Sequence, residues 1–156
     1  MSLEITLTAS RLAAAPLSRV WGVFSRLVDW PSWNPDCRGV RMEGGARLEA
    51  DSRFELRLSP LGLPVTVRAR VLESLPERRV TWQGSILGLE TRHTFSFSEL
   101  PGGVLVQSRE RLAGWPLLWL KPFYSLGRLG RRNQQWLAAL ARQAEAAPGP
   151  RPPSVA

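Results

Sequence analysis

A chain of 156 residues with 44% hydrophobic residues suits one domain with a single sizeable core, and global disorder is excluded. The only cysteine, Cys37, excludes an internal disulfide, and with a single histidine, His93, the usual zinc constellations are excluded too. The net charge of +8 is carried almost wholly by arginine, Lys121 being the only lysine, which fits an anionic partner or a base-composition bias in the encoding genome; the second is preferred.

No apolar run is long enough to span a bilayer. The first residues alternate and include Glu4, which reads as a strand and not a secretory signal, so a cytoplasmic location is expected. Leu3 to Leu12 places Leu3, Ile5, Leu7 and Ala9 on one face, a half-buried strand. Pro16 opens a helix, with Leu17, Val20, Trp21, Phe24, Leu27 and Val28 on its buried face. Asp29-Trp30-Pro31-Ser32-Trp33-Asn34-Pro35 then forms a tight aromatic turn.

Strand-like segments follow in series. Arg38 to Glu43 ends at Gly44-Gly45. Ser52 to Ser59 turns Phe54, Leu56 and Leu58 inward, and Pro60-Leu61-Gly62 is a turn. Pro64 to Leu75 points Val65, Val67, Ala69 and Val71 inward, and Pro76-Glu77 is a turn. Arg79 to Gln83 puts Val80 and Trp82 on one face. Leu87 to Leu100 directs Leu89, Thr91, His93, Phe95 and Phe97 inward. Pro101-Gly102-Gly103 is a hairpin turn, and Val104 to Leu112 directs Val104, Val106, Ser108, Glu110 and Leu112 inward. Pro122 marks a helix start or kink. Beyond Phe123 a helical stripe runs through Leu126, Gly130, Leu137, Leu140 and Ala144. Residues 1–147 are expected to form one domain, and the Pro-rich tail 148–156 to be disordered.

Short turns between successive strands imply an antiparallel meander in an α+β protein, with one apolar sheet face that only the C-terminal helix is long enough to cover. With this order in view, the chain resembles the START/polyketide-cyclase (SRPBCC) superfamily, in its polyketide cyclase/dehydratase-like branch. The resemblance rests on four segments: Pro16 to Phe24 running into Asp29–Pro35, Pro76 to Trp82, Gly88 to Phe95, and Pro101 to Val104 leading to Glu110 and Gly114. It implies a helix-grip fold. A curved antiparallel sheet of about six to seven strands would wrap a long C-terminal helix, with one or two short helices after the first strand. It also implies a cavity between sheet and helix suited to a mainly apolar small molecule or lipid, with no cofactor.

Trp30 and Trp33 are read first as packing the helix–strand corner, with Trp33 also open to a place on the cavity wall. Phe54, Leu56, Val67, Trp82 and Phe95 are candidate apolar walls. Val106, Leu126 and Leu137 complete them. His93 and Glu110 fall in similar rows above one hairpin and form the candidate polar anchor. They could serve as acid and base if the protein is a cyclase or dehydratase, or simply satisfy each other in an apolar interior. Thr91 and Ser108 share that face, as ligand-orienting groups or as small polar fillers. The outward arginines lack stacking aromatics, so no nucleic-acid partner is expected. Trp115 and Trp119 are expected to close the core. The alternative is weak contact with an anionic membrane, together with Arg128 and Arg131. The leading expectation is therefore binding of a hydrophobic or amphipathic molecule; a cyclase-type enzyme and a membrane-touching lipid carrier are the alternatives.

Overall fold

The computed structural model describes residues 3–45, 47–59, 64–86, 88–120 and 126–146, the side chains of 120 and 126 excepted. The expected Pro60–Gly62 turn, the Pro122 helix start and the 148–156 tail lie outside those residues, as does the side chain of Leu126.

Strand β1 (Glu4–Ala13) leads into helix α1 (Leu17–Ser25) and a 3-10 helix at Leu27–Ser32. Six strands follow: β2 (Cys37–Glu43), β3 (Arg53–Leu58), β4 (Val65–Leu75), β5 (Arg79–Ile86), β6 (Leu89–Leu100) and β7 (Gly103–Ala113). Helix α2 (Pro116–Leu120) is short, and helix α3 (Leu126–Ala146) is long. All seven strands join one antiparallel sheet in the order β1-β7-β6-β5-β4-β3-β2. The sheet is curved and α3 lies in it, the α+β arrangement expected from the sequence. Strands β2 to β7 form a plain meander, as short turns require. Strand β1 sits beside β7 instead of β2, with α1 and the 3-10 helix making the long crossing between the two edges.

Period-2 alternation explains the strands. The inward sides of β3, β4, β6 and β7 are buried where alternation placed them, except that Val65 at the start of β4 is only half-buried, and the arginines between them face out. Helix α1 begins after Pro16, whose carbonyl accepts from Arg19 N and Val20 N at 3.0 and 3.1 Å. Val20 and Phe24 are buried, but Val28 is 47% exposed, against expectation. The α-helical period ends at Ser25, and Arg26 (φ −85°, ψ 74°) redirects the chain into the 3-10 turn, so spacing counted across it no longer marks a face.

The core is built around Phe24. Its ring centroid lies 4.8 to 6.1 Å from those of Phe95, Phe97, Trp30, Trp21 and Trp82. The aromatic turn supplies Trp30, which is buried and donates its indole N–H to the Phe24 carbonyl at 2.8 Å. That bond satisfies the polar end of a large buried side chain and fastens the 3-10 turn onto α1. Trp136 of α3 meets Trp30 edge-on at 5.7 Å, joining the long helix to the same cluster. A second, smaller cluster of Leu7, Leu89, Leu112 and Leu117 lies at the opposite rim, with Leu129 packed against it.

One expectation is overturned outright. Trp115 and Trp119 do not close the core: they are 65% and 70% exposed, and Leu118 between them is 60% exposed. Helix α2 buries Pro116 and Leu117, the latter in the leucine cluster, and leaves Leu118 and Trp119 in solvent.

Candidate functional site

The two apolar clusters are separated by a band of buried polar groups. Along β6, Leu89 belongs to the small cluster, Thr91 and His93 follow, and Phe95 and Phe97 belong to the large one. Along β7 the order reverses: Val106, then Ser108 and Glu110, then Leu112. On α3 the sequence is Leu129, Asn133, then Trp136 and Leu137. Three elements thus place polar residues at the same depth in an otherwise apolar interior.

The hairpin register puts His93 directly opposite Glu110, and Glu110 opposite Leu7 of β1. Their hydrogen-bond partners lie to either side. His93 Nε2 and Ser108 Oγ are 2.6 Å apart. Glu110 Oε2 accepts from Asn133 Nδ2 at 2.9 Å. A carboxylate can only accept, so it fixes which way the Asn133 amide faces. The Asn133 carbonyl oxygen is left buried with no hydrogen-bond partner among the described residues. An orphaned buried acceptor costs free energy unless water or a ligand meets it.

Electrostatics set the charge states. Burial lowers the His93 pKa to about 4, opposed in part by the Glu110 carboxylate and reinforced by Arg132. The imidazole is therefore neutral at neutral pH. Burial alone would raise Glu110, but His93, the Arg132 guanidinium and the Asn133 amide outweigh it and hold the carboxyl below its ordinary range. Arg132 stays in place by lying over the Trp136 ring, 5.0 Å from its centroid, with Nε 3.5 Å from Asp36 Oδ2. Asp36 also accepts from Trp136 Nε1 at 2.9 Å. The His93 ring stacks on Phe95 at 4.1 Å and lies 6.2 Å from Trp136.

The remaining candidates separate by position. Trp82 is opposite His93, 5.9 Å away by ring centroid, and it carries Phe54 against its edge at 5.2 Å. Phe54, Leu56, Val67, Trp82, Phe95 and Val106 are buried in the large cluster, as is Leu137 on α3. They pack on each other as core. Thr91 is buried one row nearer the α2 rim, opposite Leu112. Trp33 is half-buried against Trp30 at 5.2 Å, and its indole N–H, like Asn34 Nδ2, is buried without a partner among the described residues. A surface pocket of about 510 Å³ lies between Arg53, Arg68, Arg70 and Gln83 on the outer sheet face.

Asn133, Arg132 and Trp136 were not among the sequence candidates. For Asn133 and Trp136 the signal was the α3 spacing: Leu129, Asn133, the adjacent Trp136 and Leu137, Leu140 and Ala144 recur every three or four residues, and Asn133 is the polar member of that inward stripe. No group of histidine, cysteine and acidic side chains able to hold a metal occurs among the described residues.

A curved seven-stranded sheet gripping a C-terminal helix is the START-type helix-grip fold. Residues 4–145 match the family described as polyketide cyclase / dehydrase and lipid transport, and the chain belongs to that family. Solved structures agree in fold. A protein from Thermus thermophilus superposes with a TM-score of 0.78 at 17% identity, covering 93% of this chain and 100% of that one. Norcoclaurine synthase from Thalictrum flavum, in complex with dopamine and hydroxybenzaldehyde, gives a TM-score of 0.71 at 13% identity, covering 96% and 91%. A START superfamily protein from Mycobacterium smegmatis gives 0.64 at 16% identity, covering 91% and 94%. No curated protein matches the chain.

Proposed function

We propose that the chain binds an amphipathic small molecule between the sheet and α3, with its polar group at the band and its apolar part toward the leucine cluster. The observation that carries this reading is the Asn133 carbonyl oxygen, buried and unpartnered beside Glu110 and its row. Such an acceptor calls for a donor, so the ligand carries a hydroxyl or N–H group. His93 and Glu110 are the anchor that orients the amide and neighbouring groups. Leu7, Leu89 and Leu112 supply apolar contact, stabilising by about 25 cal/mol per Å² buried before ordering costs.

The test compares 2-naphthol with 2-methylnaphthalene, followed by quenching of intrinsic tryptophan fluorescence. The hydroxylated probe is expected to bind about tenfold tighter, the worth of one buried hydrogen bond of about 1 to 1.5 kcal/mol. Asn133→Leu should erase that preference while leaving the apolar probe bound. Equal affinity for both probes in the unaltered chain would sink the reading. Native mass spectrometry of the purified protein would then identify any molecule that travels with it.

A second reading is a cofactor-independent cyclase or dehydratase. What favours it is an imidazole held unprotonated at neutral pH, the form a general base needs, 2.6 Å from a serine hydroxyl. Under this reading His93→Gln abolishes turnover of a bound substrate but not its binding. A ligand that is always released unchanged would argue for carriage alone.

A further inference from the structure

The exposed aromatic face of α2 is unexplained by an interior ligand site. Trp115, the turn residue just before α2, and Leu118 and Trp119 within α2 are all more than half exposed. Leu117, by contrast, is seated in the leucine cluster. A Cβ at Gly88 would lie 3.3 Å from Pro116 and 3.7 Å from the Trp115 indole nitrogen, so the β5–β6 turn buttresses α2 at this rim. The apolar side chains are therefore held outward on a supported element.

Charge says what the face meets. From Leu112 to Ala144 the sequence has no acidic residue and five basic ones. Two of these, Arg128 and Arg131, are exposed in the first turns of α3 on either side of Leu129. Leu129 packs on the same leucine cluster as Leu117, so cations and tryptophans border one rim. Tryptophan beside arginine suits the interface of an anionic bilayer, where the ring lies at headgroup depth and the guanidinium meets phosphate. A second copy of the chain is a worse partner. A two-fold contact through this face would set Arg128 and Arg131 against their own copies, and of the nearby acids Glu4 is already paired with Arg111, leaving Glu90 alone to offset them.

We propose that the α2 rim docks the protein reversibly on anionic lipid surfaces, through Trp115, Leu118 and Trp119 with Arg128 and Arg131. Docking does not depend on the interior holding a ligand. The experiment is co-sedimentation with phosphatidylcholine vesicles, with and without about one-third phosphatidylglycerol, at low and at physiological salt. Binding is expected only with the anionic lipid, weakening as salt rises because the attraction is screened within about 10 Å. Trp115→Ser with Trp119→Ser should lower affinity at least about tenfold. Arg131→Glu should do so too while leaving the apolar face intact. Both sets of substitutions are at exposed positions, and unchanged thermal melting would confirm the fold. Absence of binding at low salt overturns the proposal, as do equal binding to neutral vesicles and unaltered binding by the tryptophan variant. A concentration-dependent dimer in sedimentation velocity, removed by Trp119→Ser in a protein that ignores vesicles, would overturn it in favour of self-association.

Discussion

His93 is the residue whose environment most constrains the protein's response to pH. In the unfolded chain its imidazole titrates near 6.5, and in the folded protein burial brings it to about 4. Between those values the unfolded chain binds more protons than the folded one, so stability falls as pH falls. The contribution is intact above about pH 6.5 and declines toward pH 4, at up to about 1.4 kcal/mol per pH unit. Glu110 acts in the same direction, but only below its own unfolded value, since its folded pKa is also lowered. His93→Gln keeps a side chain that can bond Ser108 and removes the titration. Urea unfolding at pH 7, 6, 5 and 4.5 should show a steeper loss in the unaltered protein than in the variant. Parallel curves would mean that His93 is not the group being protonated.

The elements were largely legible because alternation and turn chemistry act over a few residues. The hairpin at Pro101-Gly102-Gly103 shows how firmly such a local signal can fix the sheet. Gly103 has φ 154°, and a Cβ there would lie only 2.0 Å from the Ala13 carbonyl oxygen. Only glycine lets the start of β7 close on the end of β1. Gly103→Ala is therefore expected to cost about 2 kcal/mol or more, read as a lower urea midpoint with the slope unchanged. A midpoint within error of the unaltered chain would mean that β1 shifts to accommodate the methyl group. The pairing itself was not legible: alternation gives a strand's inward face but not its neighbour, so the place of β1 beside β7 needed the whole sheet. Helix α2 was misread for a related reason. Tryptophan's general preference for burial does not say which side chain of a short segment turns inward, and here Leu117, not Trp115 or Trp119, takes the place beside Leu7, Leu89 and Leu112.

At the scale of the molecule, the sheet holds two apolar regions of unequal size with a polar band between them. Half of that band could be read from sequence, because one hairpin turn sets the register that places His93 opposite Glu110. The other half could not, because Asn133 reaches Glu110 across 23 residues and through a helix whose rotation depends on its packing. The division has a dynamic consequence. The Phe24 cluster draws large rings from α1, the 3-10 turn, β5, β6 and α3, so opening it removes the contacts that hold every layer together. Among the described residues the leucine cluster has four buried members, lies beside the short helix α2, and is cut off from the aromatic region by groups that prefer water. Local opening follows the regions with fewest buried apolar contacts. The rim should therefore open below the global unfolding free energy, giving a ligand or a lipid headgroup a route to the band without melting the core. Native-state hydrogen exchange tests this within single strands. Amides of residues 89–91 should exchange at least about tenfold faster than those of 95–97, and residue 112 faster than residue 106, a gap of about 1.4 kcal/mol or more in opening free energy. Removing the leucine contact with Leu117→Ala should widen the gap by speeding the rim alone. If both ends of β6 exchange only through global unfolding, the interior is one cooperative unit and the band is not a seam.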